Sequence, residues 1–136
     1  MSKAIPKIMK YMTTTPLSVQ KTTSLLEAAE LMQKKHIRHL PVLYGKQIEG
    51  ILSSTDISLI RTLSDVDITK LKVYDCFTPN PYIVSPEAPL NTVLSEMAEK
   101  KYGCTIVADN DNLVGIFTWI DALQATSELL ETRLKK

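Results

Sequence analysis

The sequence predicts a mixed α/β fold made of two β-α-β-β-α repeats with pseudo-twofold symmetry. The chain matches itself without a gap at an offset of 65 residues, which places Thr13 on Thr78 and Asp56 on Asp121. Apolar residues recur at helical spacing in the same place of both copies, and short apolar runs of strand length flank them. Self-similarity at a fixed offset indicates copies of one supersecondary unit that bury their apolar faces together.

Each repeat is predicted to start with a helical lead-in, a loop containing Thr and Pro, and a short strand. A helix follows. In the first repeat Ser24 and Glu27 can form a capping box at its start, and in the second repeat Pro89 suits its first turn. Two strands joined by YGK or DNDN then form a hairpin, and a final helix ends the repeat. The predicted ranges are 6–12, 17–19, 24–35, 39–43, 47–52 and 55–63 in the first repeat, and 70–77, 82–84, 88–101, 104–108, 113–117 and 119–134 in the second.

Three strands in each repeat are too few to bury both faces of a sheet. We therefore expect two small sheets packed face to face, with the helices outside. The polar segment 64–72 connects the repeats, which gives a first repeat at 1–66 and a second at 67–136, together forming one module.

Composition excludes several classes of protein. The 136 residues are 44% hydrophobic and carry a net charge of +1, which supplies no basic patch for nucleic acid. No apolar run is long enough to span a membrane and no signal peptide is recognisable, so we expect a cytoplasmic protein. The two cysteines, Cys76 and Cys104, have no metal-ligand spacing and are predicted to be small buried hydrophobes.

The stretch GILSSTDI at 50–57 returns as GIFTWIDA at 115–122. One interpretation is local, because a hydroxyl at the helix start and an acid three residues later form a capping pair. The other is a binding site, because a carboxylate at a strand-to-helix junction can accept both hydroxyls of a ribose, and nearby helix amides suit a phosphate. The residues alone leave both interpretations open.

These patterns resemble the tandem pair of cystathionine beta-synthase-type (CBS) domains, also called the Bateman module. The carrying features are the Met12-Thr13 lead-in, the AAELMQKK helix, His39-Leu40-Pro41-Val42 and the repeated glycine-hydroxyl-acid motif. The resemblance implies a regulatory module, without catalysis, that binds adenosine-containing ligands between the repeats. It implies no required cofactor, with an adenine nucleotide as the regulatory ligand.

The resemblance also implies composite sites, in which the acid of one repeat works with the Thr-Pro loop of the other. The first site would contain Asp121, Thr118, Thr13, Thr15, Pro16 and Val19, with Arg38 and His39 available for phosphate. The second would contain Asp56, Ser53, Thr78, Asn80, Pro81 and Val84, with the neutral Gly103 and Cys104 at its phosphate end. The Asp121 site is therefore predicted to be the better nucleotide phosphate site.

Each cationic candidate also has a structural interpretation. Arg38 can be a solvated residue at a strand start, and His39 a satisfied, half-buried imidazole. His36 and His39 form an HxxH pair without a nearby acid or thiol ligand, so no metal site is predicted.

The sequence contains no glycine-rich phosphate loop, no GxSxG motif and no Cys-His nucleophile pair, and no enzyme activity is expected. We expect AMP, ADP or ATP as ligand ahead of S-adenosylmethionine or a dinucleotide, with a regulated protein as a possible partner. The alternative is a ligand-free interaction or dimerisation module. Exposed leucines expected on the final helix, namely Leu123, Leu129, Leu130 and Leu134, predict a homodimer.

Overall fold

The computed structural model describes residues 4–14 and 17–134, which form eight strands and four α-helices. The helices are α1 (Leu25–Lys35), α2 (Ser54–Arg61), α3 (Leu90–Lys100) and α4 (Trp119–Leu129). The strands are β1 (Thr13–Thr14), β2 (Val19–Gln20), β3 (His39–Tyr44), β4 (Gln47–Ser53), β5 (Thr78–Pro79), β6 (Ile83–Val84), β7 (Cys104–Asp109) and β8 (Asn112–Thr118). Short 3-10 turns occupy Ile8–Lys10, Ile68–Lys70 and Val73–Asp75.

The strands form two four-stranded sheets, in the orders β1-β8-β7-β6 and β2-β3-β4-β5. The predicted mixed α/β class is confirmed, but the expected three strands per sheet is wrong. The fourth strand comes from the Thr-Pro segments, which were expected to be loops. Each is extended for two residues and pairs antiparallel with a strand of the other repeat.

The two exchanged segments pair in the same register, once the offset of 65 residues between the repeats is taken into account. Thr13 of β1 pairs with Ile116 of β8, and Thr78 of β5 pairs with Ile51 of β4. The parallel pairs repeat in the same way, with Val19 opposite Val42 and Val84 opposite Val107. The two sheets are therefore copies of each other, strand by strand.

Because the lead-ins are exchanged, the compact units differ from the sequence repeats. Of the described residues, one unit contains 17–81, and the other contains 4–14 together with 82–134. The repeat limits 1–66 and 67–136 stay a prediction about the duplication of the sequence.

Each unit has its own hydrophobic core, built from equivalent positions. In the unit 17–81, the helix α1 and the strands β3 and β4 bury Leu25, Ala28, Met32, Leu40, Val42 and Leu52, joined by Ile57 and Val73. In the other unit the equivalent residues are Leu90, Val93, Met97, Val107 and Phe117, joined by Ile8 and Ala125. Val73 and Ile8 belong to the lead-ins, so each exchanged segment is anchored by a buried side chain as well as by strand pairing.

Local signals explain the turns and the first helix start. The Ser24 hydroxyl accepts a hydrogen bond from the Glu27 amide at 3.0 Å, as predicted for the start of α1. The hairpin between β3 and β4 turns at Gly45, where φ is +62°. The hairpin between β7 and β8 turns at Asn110 and Asp111, which both have positive φ, as a type I′ turn requires.

The final helix differs from its prediction over 119–134. It is α-helical only to Leu129 and continues as a π-helical segment, Leu130–Leu134. Leu129 was expected to be exposed, but this was wrong, because it packs against the core of its unit. Leu123, Leu130 and Leu134 are exposed, as expected. No helix in residues 4–14 and 17–134 is both long and apolar enough to cross a membrane.

The repeated glycine of the motif allows the exchanged strand to approach closely. A Cβ atom at Gly50 would collide with the carbonyl oxygen of Thr78 and would lie 2.5 Å from the Phe77 ring. At Gly115 it would lie 2.7 Å from the sulfur of Met12 and 2.9 Å from the carbonyl oxygen of Thr13. Only a residue without a side chain fits where the strand of one repeat crosses that of the other.

We expect Gly50→Ala to lower the free energy of unfolding by about 2–3 kcal/mol, because the new methyl group overlaps backbone and an aromatic ring. Gly115→Ala should cost less, about 1 kcal/mol, because one of the two groups it meets is the flexible Met12 side chain. Urea unfolding of both variants measures the difference. Equal stability of Gly50→Ala and the wild type would contradict the close approach.

Candidate functional site

The carboxylate of Asp56 lies at the junction of β4, α2 and the exchanged strand β5. The Ser53 amide donates to Asp56 Oδ2 at 3.2 Å, and the Asp56 amide donates to Ser53 Oγ at 3.1 Å, which completes a capping box. The Thr78 hydroxyl approaches the same carboxylate oxygen at 3.4 Å. The local capping interpretation is therefore correct as far as it goes, and the acid also contacts the other repeat.

The carboxylate of Asp121 repeats this arrangement in the second unit. It accepts from the Thr118 amide at 2.9 Å and from the Thr118 hydroxyl at 3.3 Å. The Thr13 hydroxyl of β1 donates to Asp121 Oδ1 at 3.2 Å. The structure thus brings each acid together with the threonine that the family resemblance grouped with it.

Both carboxylates keep acceptor capacity for a ligand. Each carboxylate offers about four lone-pair positions. Among the described residues, every hydrogen bond to Asp56 reaches Oδ2, and Asp121 Oδ1 receives only the Thr13 hydroxyl. Both acids are half-buried, and the threonines that contact them from the exchanged strands, Thr13 and Thr78, are exposed. A donor from outside the chain can therefore reach both junctions.

Arg38 and His39 lie beside the Asp56 junction. His39 pairs with Ser53 across β3 and β4, and the Arg38 carbonyl accepts the Ser54 amide at 2.9 Å. Burial lowers the pKa of His39 below its ordinary value, an effect that the Asp56 charge opposes and the Arg38 charge reinforces. The family resemblance groups this pair with Asp121, and that grouping stays a prediction; within their own unit the two residues contact Ser53 and Ser54, beside Asp56.

Gly103 and Cys104 occupy the equivalent place beside Asp121. The Gly103 carbonyl accepts the Trp119 amide, and Cys104 pairs with Thr118. Burial, with the Asp121 charge, raises the pKa of the Cys104 thiol to about 12. This thiol is neutral and offers no charge to a ligand, in agreement with the expected buried hydrophobe.

Cys76 is a neighbour of the Asp56 junction that sequence reasoning missed. Burial first, and then the charges of Asp56 and Asp75, raise the pKa of its thiol to about 11. It is half-buried rather than buried, at the end of the exchanged lead-in. No local pattern could have placed it beside Asp56, because Asp56 belongs to the other repeat.

The remaining predicted residues fall into two groups. Val19 is buried in its core, which leaves its backbone atoms for a ligand, whereas Val84 is half-buried and packs against the other core. Asn80 directly follows β5; it is exposed and has a φ of +56°. Pro81, the next residue, is half-buried. Thr15 and Pro16 lie outside the described residues.

The described part of the chain contains no cluster of three His, Cys, Asp or Glu side chains that could hold a metal ion. What both junctions offer instead is a carboxylate, two hydroxyls and the start of a helix. This set accepts hydrogen bonds from a diol and donates them to an anion.

The lowered pKa of His39 makes stability depend on pH. Between the ordinary value of 6.5 and the lower folded value, the unfolded chain binds the proton more readily, so the free energy of unfolding falls as pH drops through this window. Arg38→Gln should raise the His39 pKa, and Asp56→Asn should lower it further. NMR titration of the imidazole protons measures both shifts, with His36→Gln identifying the signals. Shifts of the same sign in both variants would contradict the assigned causes.

Comparison with known proteins agrees with the two copies. The family model of the CBS domain matches residues 8–60 and 73–128. The chain is 28% identical over 134 residues to inosine-5'-monophosphate dehydrogenase of Korarchaeum cryptofilum, an alignment covering 98% of this chain and 27% of that enzyme. It therefore spans about a quarter of the length of this curated relative.

Two solved structures are similar over nearly their whole length. AcuB, a Vibrio cholerae protein assigned to acetoin utilization, has 28% identity and a TM-score of 0.84, with 98% of each chain covered. CBSX2, solved in complex with AMP, has 25% identity and a TM-score of 0.81, with 90% of this chain and 97% of that one covered. The matched family model covers most of the sequence, and the chain belongs to the CBS-domain family, with two copies of the domain.

Proposed function

We propose that this CBS pair is a regulatory module that binds an adenosine-containing ligand at the Thr-Asp junctions and performs no catalysis itself. The observation that carries the proposal is the repeated contact between an acid of one repeat and a threonine of the other, Asp121 with Thr13 and Asp56 with Thr78. AMP, ADP or ATP is the preferred ligand, ahead of S-adenosylmethionine or a dinucleotide. The complex of the relative CBSX2 with AMP supports this class.

The ribose is the part of the ligand that the acids recognise in this proposal. A carboxylate accepts the 2′ and 3′ hydroxyls together, and charge-assisted hydrogen bonds of this kind are about twice as strong as neutral ones. Asp56 Oδ1 receives no hydrogen bond from the described residues, so it can accept one without losing its helix cap. Capping and ligand binding are therefore compatible uses of one side chain.

The phosphate end distinguishes the two junctions. Arg38 supplies a permanent planar charge, and His39 adds a donor when protonated. The family resemblance assigns both to the Asp121 ligand, with the neutral Gly103 and Cys104 assigned to the Asp56 ligand. We therefore propose that loss of Asp121 weakens nucleotide binding more than loss of Asp56.

Occupancy is passed on by linkage in this proposal. A ligand that contacts both repeats favours the arrangement to which it binds more tightly, by the difference between its two affinities. We propose that the chain forms a homodimer, whose structure or stability changes when the ligand binds. Five apolar side chains of α4 and its extension are more than half exposed: Trp119, Ile120, Leu123, Leu130 and Leu134. A second copy would cover them.

A ligand-free interaction module is the second candidate. It is favoured by the capping boxes, because Asp56 and Asp121 already stabilise their helices without any ligand. The two candidates differ in their response to nucleotides.

Thermal unfolding with AMP, ADP, ATP, S-adenosylmethionine and NAD tests the ligand. At a hundred times its dissociation constant a ligand adds about 2.7 kcal/mol, which raises Tm by roughly 5–10 °C for a chain of this size. Asp121→Asn should abolish most of that shift, because asparagine retains one acceptor oxygen for the cap but loses the charge and the second acceptor. Asp56→Asn should reduce the shift less.

Asp65→Asn, a change at an exposed aspartate outside the junctions, is the matched control and should respond as the wild type does. If none of the five ligands raises Tm in protein refolded from denaturant, which removes ligand carried through purification, the ligand-free module is the better description. A larger loss in Asp56→Asn than in Asp121→Asn would overturn the proposed preference.

Sedimentation equilibrium tests the dimer. Leu123→Glu should weaken self-association by tenfold or more, because it places a charge in the proposed apolar contact. Leu59→Glu is the matched control, since Leu59 is 63% exposed and Leu123 61%, in different units. A wild-type chain that is monomeric at micromolar concentration, or equal effects of the two variants, would contradict a dimer through α4.

A further inference from the structure

A hydrogen bond joins two segments of the second unit that are far apart in the sequence. Arg133 Nη2 donates to the carbonyl oxygen of Ala4 at 2.8 Å. Arg133 lies in the π-helical segment Leu130–Leu134 that extends α4, and Ala4 lies at the start of the exchanged segment 4–14, here called the first lead-in. π-Helical segments are rare and are often found at functional sites. The contact therefore links the extension of α4 to the segment that carries Thr13.

The offset between the repeats shows what this hydrogen bond replaces. Arg133 is equivalent to Ile68, and Ala4 is equivalent to Thr69, because 65 residues separate the members of each pair. Ile68 and Thr69 are consecutive residues of one 3-10 turn. In the second unit, a hydrogen bond from a side chain therefore lies where the unit 17–81 has a peptide bond.

The segment 68–79, here called the second lead-in, is otherwise held by the same backbone bonds as the first. In each lead-in two successive amides donate to carbonyl oxygens that precede the next α-helix, at 2.8–3.2 Å: Ile8 to Ala88, Met9 to Pro86, Val73 to Thr23 and Tyr74 to Lys21. Ile8 and Val73 are both fully buried. The lead-ins therefore differ in how each is connected to the helix that comes before it in its unit.

This difference bears on the two acids, because each lead-in ends in the threonine that contacts one of them. Thr13 of the first lead-in donates to Asp121, and Thr78 of the second approaches Asp56. Residues 62–67 join the second lead-in covalently to α2. A covalent connection keeps a displaced segment close to its place and favours its return. No peptide bond joins the first lead-in to α4, so their contact can break and form again.

We propose that Arg133 is a positioning residue, which holds the first lead-in against the extension of α4 and so keeps Thr13 at Asp121. Release of Arg133 then allows the Asp121 junction to open, whereas at the Asp56 junction a peptide bond takes the place of this contact. The first lead-in is a two-state element in this proposal. A partner that binds the segment Leu130–Leu134 in only one of the two states would shift the population in which Thr13 contacts Asp121. The assignment concerns the ligand-free chain and does not depend on adenosine binding.

Amide hydrogen exchange of the full chain tests this assignment, because the amides of Ile8 and Met9 exchange when the first lead-in opens. Arg133→Met removes the charged donor and keeps an apolar side chain. It should lower the protection of both amides about tenfold, the effect expected for the loss of one charge-assisted hydrogen bond at an exposed site. The equivalent amides of Val73 and Tyr74 should keep their wild-type protection.

The NMR signals of the two threonines distinguish positioning from a general loss of stability. In Arg133→Met the amide and methyl signals of Thr13 should move, whereas those of Thr78 should not. Arg61→Met is the matched control, because it removes an equal charge at the exposed end of α2, and it should change the protection of Ile8 by less than twofold. Arg133→Lys keeps a charged donor and should lower that protection less than Arg133→Met does.

The proposal is overturned if Arg133→Met leaves the protection of Ile8 and Met9 within twofold of the wild type, or if it lowers the protection of both lead-ins equally. Equal losses in Arg133→Lys and Arg133→Met would overturn the assignment of the effect to the hydrogen bond. Signals of Thr13 that stay in place while the protection of Ile8 falls would overturn the positioning role.

Discussion

One carboxylate in each repeat ties three parts of the chain together. Asp56 holds the end of β4 and the start of α2 through its capping box, and it contacts Thr78 of the other repeat. The cap fixes the position of the acid, and the close approach at Gly50 fixes the strand that carries the threonine. The fold of each unit and the geometry of its candidate site therefore depend on the same junction.

Helices α2 and α4 begin alike but differ on another face. Each carries its acid in the first turn, where the carboxylate contacts a threonine of the exchanged strand. Where α2 has Ser54 and Ser58, α4 has Trp119 and Leu123. Both of these apolar side chains are more than half exposed, and an exposed apolar face is typical of protein contacts.

Most local features could be predicted from the sequence, because their causes lie within a few residues. The offset of 65 residues, the Ser24 cap and the hairpin turns at Gly45 and Asn110 are each encoded locally. The exchange of lead-ins could not be predicted from the residues alone, because the duplication makes the two glycines equivalent; only the family resemblance grouped each acid with the threonine of the other repeat. Nothing in the sequence says whether Thr13 should meet Gly115 or Gly50, and only long-range packing decides between them. For the same reason the position of Cys76 beside Asp56 left no local signal.

The exchanged strands also predict how a chain with only one repeat would behave. A single repeat would keep its glycine-bearing strand as an open edge, while its own lead-in would have no strand to join, and such edges associate with other chains. Two single-repeat chains would complete each other by reciprocal exchange, as domain-swapped dimers do. The present chain has the connectivity of such a dimer joined end to end through residues 64–72. Deleting one repeat would therefore yield a chain that associates with a second copy of itself rather than a smaller domain that is stable alone.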